Sequence, residues 1–160
     1  MAEARIFEDL KADHDRHREM LTKLSNTPAE SDKRASLFEE LRLELQAHAA
    51  AEEESLYATM LGVPELRDDA RHSVSEHKEV DDYLGELLKL DIKSDEWTET
   101  FEKMQHRYLH HIGEEEEEMF PEASKSFNDI QEARLANIFE DRKPKELEIA
   151  AEEKPGDDRD

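Results

Sequence analysis

The sequence contains no cysteine, only four glycines, five prolines and one tryptophan. Without cysteine, disulfides, thiolate metal sites, iron–sulfur clusters and cysteine nucleophiles are excluded. So few glycines and prolines leave little turn material for a many-stranded β fold. No apolar run approaches the roughly 20 residues that span a bilayer, and the N-terminus lacks the basic start and apolar stretch of a signal peptide. We therefore expect a cytoplasmic protein that does not bind membranes.

Acidic residues dominate the 160-residue chain, with 44 Asp and Glu against 22 Lys and Arg, for a net charge of −22. This charge argues against nucleic acid and anionic membranes as partners, because both are bound by clustered Lys and Arg. Leu, Ile, Val and Phe make up about a fifth of the chain, at the edge of the range of disordered proteins. Composition alone thus allows a charged helical bundle or a disordered acidic chain.

The spacing of the apolar residues favours the folded alternative. Apolar stripes with steps of three and four residues run along four segments, and prolines separate these segments. Thr27 to Glu30 has the form of a capping box for the second helix. Short connections favour an all-α, up-and-down antiparallel four-helix bundle with a short fifth helix. We predict helices at about 3–25, 30–60, 64–90, 95–119 and 128–141, in one domain (1–141), and a charged, disordered tail (142–160).

The two halves of the predicted bundle repeat at an offset of 63 residues. This shift superposes His14 on His77, His48 on His111 and Glu52 on Glu115, and it matches the apolar frame without an insertion. The chain therefore has the pattern of a duplicated helical hairpin. His110 also has an acid four residues later, but the repeat selects His111 and Glu115.

Each half carries one His on its first helix and a His-x-x-x-Glu motif on its second. A four-residue step places both side chains of the motif on one helix face, and that face is the apolar stripe. Unpaired carboxylates are costly to bury, so a metal centre satisfies the set best. The candidate ligands are His14, His48, Glu52, His77, His111 and Glu115.

Two metal ions fit this set better than one. By symmetry, His14 and His48 would hold one ion and His77 and His111 the other, with both glutamates bridging. Imidazole with carboxylate suits Fe, Zn or Mn, and Fe is favoured where open positions receive a diatomic ligand.

The four segments that carry these residues resemble the signature stretches of the hemerythrin-like HHE cation-binding family. They read DHDRHREMLTKL, HAAAEEESLY, EHKEVDDYLGELL and HHIGEEEEEMFP, and the resemblance covers about residues 5–121. It implies a four-helix bundle with two Fe ions in an oxo- or hydroxo-bridged di-iron centre. Such a centre binds or reacts with dioxygen, peroxide or nitric oxide.

The sequence departs from the oxygen-carrying hemerythrins at two positions. Those proteins have a fifth His one turn before the third-helix ligand, where this chain has Ser73, and His72 lies about 140° from the ligand face. The second bridging acid is Glu115 at a four-residue step, in place of an Asp one residue later. Fewer protein ligands leave more open coordination, which favours redox or peroxide chemistry, or sensing, over reversible oxygen carriage.

Several other residues near the predicted centre allow two interpretations. His17 is either a buried neighbour of the ligands or a fifth ligand or proton carrier. Tyr57 and Tyr108 either pack in the core or bind the metal or donate an electron. In the run Glu114–Glu118, we expect only Glu115 to face inward, and His106 and His110 to lie on the surface.

Three function classes follow for a hemerythrin-like protein with this site. The first is a module that binds or senses a diatomic ligand, peroxide or iron in a stress response. The second is a catalase- or peroxidase-like di-iron oxidoreductase. The third is repair of damaged iron centres.

Overall fold

The computed structural model describes residues 5–153, and this part of the chain is entirely helical, without a strand. None of its helices is both long and apolar enough to cross a membrane. The five long helices are α1 (Ile6–Ser25), α2 (Lys33–Glu52), α3 (Arg67–Lys89), α4 (Asp95–Glu114) and α5 (Asp129–Glu152).

Two of these helices continue beyond a wider turn. After α2 come a π-helical segment (Glu53–Tyr57) and a short α-helical turn (Ala58–Leu61). After α4 come a second π-helical segment (Glu115–Met119) and the turn Phe120–Ser124. A 3-10 turn, Pro64–Leu66, leads into α3.

Side-chain caps fix the starts of α4 and α5 but not that of α2. The Ser94 hydroxyl accepts the Trp97 N–H at 3.1 Å, and Asn128 and Gln131 form a capping box. The capping box predicted at Thr27 is wrong, because the Thr27 hydroxyl donates to the Lys23 carbonyl at 2.7 Å. Thr27 therefore completes the end of α1, and α2 begins at residue 33, three residues later than predicted.

The fifth helix is much longer than the predicted 128–141. It continues past residue 141 and includes Pro144, so residues 142–152 are helical, where the sequence predicts a charged, disordered tail. Pro inside a helix costs about 3 kcal/mol. Contacts of neighbouring residues offset that cost: Lys143 binds Asp13, and Arg42 donates to the Ala150 carbonyl at 3.1 Å. Residues 1–4 and 154–160 lie outside the described part of the chain.

The apolar core consists of two clusters with a polar layer between them. Helix α1 packs against α2, α4 and α5, and α3 packs against α4. Along α1, Ile6 and Leu10 belong to one cluster and Leu21 and Leu24 to the other. The buried His14 lies between these pairs. Along α2, α3 and α4 a buried His likewise lies between residues of the two clusters, and the order of the clusters reverses from each helix to the next. All four helices therefore contribute polar groups to one layer.

Candidate metal centre

The polar layer contains all six candidate ligands. All are buried, and Glu52 and His14 have no exposed surface. Helix α1 contributes His14 and α3 contributes His77, whereas α2 and α4 end at the two His-x-x-x-Glu motifs. The structure thus brings together the residues that the repeat selected: His14, His48, Glu52, His77, His111 and Glu115.

Each glutamate faces one imidazole of its own helix and one of another. Glu52 Oε1 lies 3.7 Å from His48 Nε2 and 3.1 Å from His77 Nε2. Glu115 Oε1 lies 2.8 Å from His111 Nε2 and 3.8 Å from His14 Nε2. The two pairs of contacts correspond under the 63-residue shift, so the layer keeps the symmetry of the sequence.

The ligand atoms form two overlapping groups that are close enough to share an ion. One group joins Glu52, His77, His111 and Glu115, and its atoms lie within 4.8 Å of one another. The other joins His14, His48 and Glu52 within the same limit. Glu52 belongs to both groups, which is the position expected of a bridging carboxylate.

Each of the four imidazoles also meets a carboxylate at its other nitrogen. The Nδ1 atoms lie 2.7–2.9 Å from a carboxylate oxygen, a distance typical of charge-assisted hydrogen bonds. An Nδ1–H that donates to a carboxylate leaves the lone pair on Nε2, which then points into the layer. The four pairs are His14–Glu116, His48–Asp13, His77–Glu53 and His111–Glu76.

The interior-facing atoms lack hydrogen-bond partners. This is true of the Nε2 atoms of His14, His48 and His111, both Glu52 oxygens and Glu115 Oε1. Buried polar atoms are nearly always paired, and each orphan costs about 1–3 kcal/mol. Apart from the His111–Glu115 pair, in which Nε2 and Oε1 lie 2.8 Å apart, the lone pairs of these atoms converge without a donor, which suits a cation.

Burial and neighbouring charges shift the pKa values in the layer in opposite directions. Burial lowers the pKa of His48 to about 3, so this imidazole is neutral at pH 7. Burial also raises the pKa of Glu52, and the adjacent Glu115 carboxylate raises it further. For His111, burial would lower the pKa, but the Glu115 carboxylate raises it to about 9. The repulsion between the Glu52 and Glu115 carboxylates is reduced by a nearby positive charge, either a proton on His111 or a bound cation.

Both motifs lead directly into the π-helical segments, where consecutive glutamates meet one imidazole. Glu52 faces His77 Nε2, and Glu53, the next residue, faces His77 Nδ1 at 2.8 Å. Glu115 and Glu116 face the two nitrogens of His14 in the same way. Such π-turns are frequent at functional sites, and here they begin at or directly after the candidate bridging glutamates.

The sequence interpretation missed the four carboxylates that bind Nδ1. Glu116 was assigned to a solvated face, yet it lies 2.7 Å from His14 Nδ1. Hydrogen bonds with His14 and Arg18 lower its pKa to about 2, against the opposing effect of burial. The repeat contained a usable signal, because the same shift superposes Asp13 on Glu76 and Glu53 on Glu116.

Other histidines lie where the helical spacing predicted. His72 is 64% exposed, and Ser73 occupies the buried position on the ligand face of α3. His106 and His110 are exposed. His17 is fully buried, with Tyr108 Oη 2.6 Å from Nδ1 and Glu44 Oε1 3.4 Å from Nε2. Both nitrogens of His17 thus face protein groups, which favours its interpretation as a buried neighbour of the ligands.

The two tyrosines use their hydroxyls inside the layer. Tyr57 donates to Glu115 Oε2 at 2.7 Å, so it does more than pack against the core. This bond holds one Glu115 oxygen and leaves Oε1 directed toward His14 and His111. The Tyr108 hydroxyl lies beside His17, as a donor to the unprotonated Nδ1 of a neutral imidazole.

The fold and the donor set together define a helical protein with a buried layer of candidate cation ligands. The profile of the hemerythrin HHE cation-binding domain matches residues 5–123, so the chain belongs to that family, whose domains bind metal cations. The family predicted from the sequence is therefore confirmed. Residues 124–153, which include α5, lie beyond the match.

A solved structure shares this fold. It is the crystal structure of a hemerythrin HHE cation-binding domain-containing protein from Mycobacterium kansasii, with a TM-score of 0.81 and 24% identity. The alignment covers 93% of this chain and 91% of that chain. No curated protein sequence matches this chain.

Proposed function

We propose that the chain binds two iron ions in the buried layer. His14 and His48 hold one ion, His77 and His111 hold the other, and Glu52 and Glu115 bridge them. The observation that carries this proposal is the set of buried Nε2 and carboxylate atoms without partners. The carboxylates at Nδ1 support it further, because such pairs orient imidazole ligands and raise their basicity.

The proposal includes an up-and-down antiparallel bundle of α1–α4 around the centre, in a cytoplasmic protein. Its support is the short connections, such as residues 90–94 between α3 and α4, and the packing of α1 on α2 and of α3 on α4.

A bridged pair of irons supplies an open coordination position and redox chemistry for dioxygen, peroxide or nitric oxide. The protein groups prepare that site. The carboxylates fix the orientation of the four imidazoles, and Tyr57 holds one oxygen of Glu115. The apolar clusters on both sides exclude water from most of the layer.

One observation favours peroxide chemistry as a second candidate function. Ser73 is small and buried beside Met119, with its hydroxyl 3.6 Å from the Met119 sulfur. A cleft reaches from this serine to Glu115 and the solvent. Space beside a bridging carboxylate suits a ligand that must enter and leave quickly.

Metal analysis tests the proposed centre. Protein from iron-fed cells should contain about two irons per chain, and His48→Ala or Glu115→Ala should lose one or both. His72→Ala is the matched control, because its exposed imidazole lies off the ligand face, and it should keep both irons. Less than one iron per chain in the wild type, zinc alone, or full iron in Glu115→Ala would contradict the assignment.

Two further measurements separate the candidate functions in the iron-loaded protein. A reversible spectral change on removal and return of oxygen supports ligand binding. Oxygen evolution from added hydrogen peroxide, lost in Glu115→Ala, supports the oxidoreductase. Neither signal in a protein with two irons would contradict both functions.

A further inference from the structure

An acidic cleft of about 400 Å³ connects the surface with the candidate metal centre. It lies between α3 and the part of the chain that continues α4. Three exposed carboxylates, Asp69, Glu118 and Glu122, surround its mouth. Glu122 pairs with Lys125 at 3.1 Å, whereas within the described residues Asp69 and Glu118 have no ion-pair partner. The mouth therefore carries uncompensated negative charge.

The inner end of the acidic cleft is formed by two of the candidate ligands. His111 and Glu115 line it, and they are 1% and 2% exposed. His111 Nε2 and Glu115 Oε1 lie 2.8 Å apart as an ion pair, and neither has a further hydrogen-bond partner. The cleft thus leads from exposed carboxylates to buried lone pairs, which is a more specific arrangement than a run of surface acids.

Ser73 is a small, buried residue in the lining of the acidic cleft. Its side chain lines the wall on the ligand face of α3, one turn before His77. A larger residue at this position would fill the space between Met119 and Glu115. The smallest polar side chain on this face keeps the passage open.

Three side chains of the kind that bind metal ions line the acidic cleft in a cluster. His72, Glu76 and Glu114 each place one ligand atom within 4.8 Å of the others. His72 is exposed and Glu114 is half-buried, so solvent reaches the cluster. Arg107 also pairs with Glu76, so a cation here competes with a guanidinium and is held weakly. Weak, solvent-exposed coordination suits an ion in transit.

A second cavity, of about 350 Å³, reaches the layer from the side of α2 and α3 and provides a comparison. Its walls include Leu45, Val80 and Leu84, and Lys78 stands among the residues that line it. Glu53 and Asp81 also line it, but Lys78 offsets part of their charge, so this cavity attracts a cation less than the acidic cleft does.

We propose that the acidic cleft is the route by which divalent cations reach the buried layer, with His72, Glu76 and Glu114 as a transient site. This inference rests on the proposed function, because it assumes that the layer holds cations. Charge of one sign around a narrow opening raises the association rate of the opposite charge by about 10- to 1,000-fold at low salt. The effect fades at high salt, because the Debye length falls to about 3 Å at 1 M.

The test measures the rate of Co²⁺ uptake by the metal-free protein, followed by visible absorption in a stopped-flow instrument. The cleft variant combines Asp69→Asn, Glu118→Gln and Glu122→Gln. At low salt we expect uptake about tenfold slower than in the wild type, with the same final stoichiometry. In 1 M salt the two rates should converge.

The control variant removes the same charge elsewhere, by Glu40→Gln, Glu99→Gln and Glu102→Gln. These exposed residues lie about 12 Å or more from the nearest candidate ligand along α2 and α4. Uptake should match the wild-type rate. If uptake slowed equally in both variants, the effect would come from net charge alone, and the proposal that the cleft is the route would be overturned.

His72→Ala tests the transient site separately. It should slow uptake without changing the final stoichiometry, because His72 is exposed and lies outside the layer. A wild-type rate in this variant would remove the transient site, and a wild-type rate in the cleft variant would overturn the whole inference. Failure of the wild type to bind two Co²⁺ ions would instead contradict the proposed function.

Discussion

At the scale of single residues, the carboxylates behind the imidazoles determine how well the layer binds a cation. Glu76 is 2% exposed and lies 2.9 Å from His111 Nδ1. Burial would raise the pKa of Glu76, but hydrogen bonding to His111 and the charge of Arg107 lower it. The carboxylate is therefore ionised, and its hydrogen bond orients the His111 ring and raises the basicity of that imidazole.

We predict that Glu76→Gln weakens cation affinity by about 10- to 100-fold, because a neutral amide orients His111 less firmly. The measurement is competition with a chelator of known affinity. Glu79→Gln is the matched control. Glu79 also pairs with Arg107, but it is exposed and, among the described residues, forms no hydrogen bond with a candidate metal ligand. Equal affinity in the two variants would show that the loss of the Arg107 pair, and not the His111 contact, matters.

Asp9, an acid outside the polar layer, makes the free energy of unfolding depend on pH. Burial raises the pKa of Asp9 to about 7, and a hydrogen bond and charge repulsion from Glu140 on α5 contribute to the shift. An unfolded Asp ionises near pH 4. Between about pH 4 and 7 the folded chain thus holds a proton that the unfolded chain has lost, so stability falls as pH rises through this range.

Asp9→Asn removes this penalty. We predict that the variant raises the melting temperature at pH 8 more than at pH 5, because the wild-type carboxylate is fully charged in the folded state only at the higher pH. Melting curves at the two pH values, recorded on metal-free protein, measure the difference. An equal shift in melting temperature at both pH values would mean that Asp9→Asn changes stability through packing alone.

At the scale of helices, α5 closes one side of the molecule over the candidate ligands. Phe139 packs edge-on against His48 at a centroid distance of 5.7 Å. Lys143 donates to Asp13 Oδ2 at 2.6 Å and also pairs with Glu44. Burial would raise the pKa of Glu44, but hydrogen bonds with His17 and Lys143 lower it to about 2. One ammonium thus compensates two poorly hydrated carboxylates.

We predict that Lys143→Met lowers the free energy of unfolding by about 2–3 kcal/mol, because it leaves two carboxylates short of a partner. Urea denaturation of metal-free protein measures the change as a lower midpoint with an unchanged slope. Lys145→Met is the control on the same helix, because Lys145 forms an exposed pair with Asp141 and should change stability little. A small effect of Lys143→Met would mean that Arg16, which also pairs with both acids, compensates them alone.

The helices and the six candidate ligands were predictable from the sequence, because both depend on spacing along one chain. The steps from His48 to Glu52 and from His111 to Glu115 place each pair on one face whatever surrounds it. The partners at Nδ1 depend instead on how neighbouring helices are rotated. Glu116 therefore looked like one surface acid among five.

The length of α5 was not predictable for a related reason. Local sequence around Pro144 argues against a helix, and only contacts with α1 and α2 outweigh that preference. Those contacts involve Asp13 and Arg42, more than 100 residues away in sequence. The spacing of residues within α5 therefore does not predict these contacts.

At the scale of the whole molecule, cation binding should couple to stability. A ligand that binds only the folded state at 100 times its dissociation constant adds about 2.7 kcal/mol for each site. For a protein of this size, one site should raise the melting temperature by about 5–10 °C. Calorimetry with and without Co²⁺ measures the shift. The same cation should leave the Glu115→Ala protein nearly unchanged, and an equal shift there would indicate binding at the surface.

The two halves of the polar layer differ at a few positions, and these differences affect the order in which cations bind. Tyr57 corresponds to Phe120 and His17 to Val80 under the repeat, so only one half has a phenol on the opposite glutamate and a third imidazole nearby. In the proposed two-ion centre, the two sites would therefore have unlike surroundings and take up their ions at different free concentrations. Titration should then pass through a half-loaded species, in which a second kind of metal can complete a mixed pair.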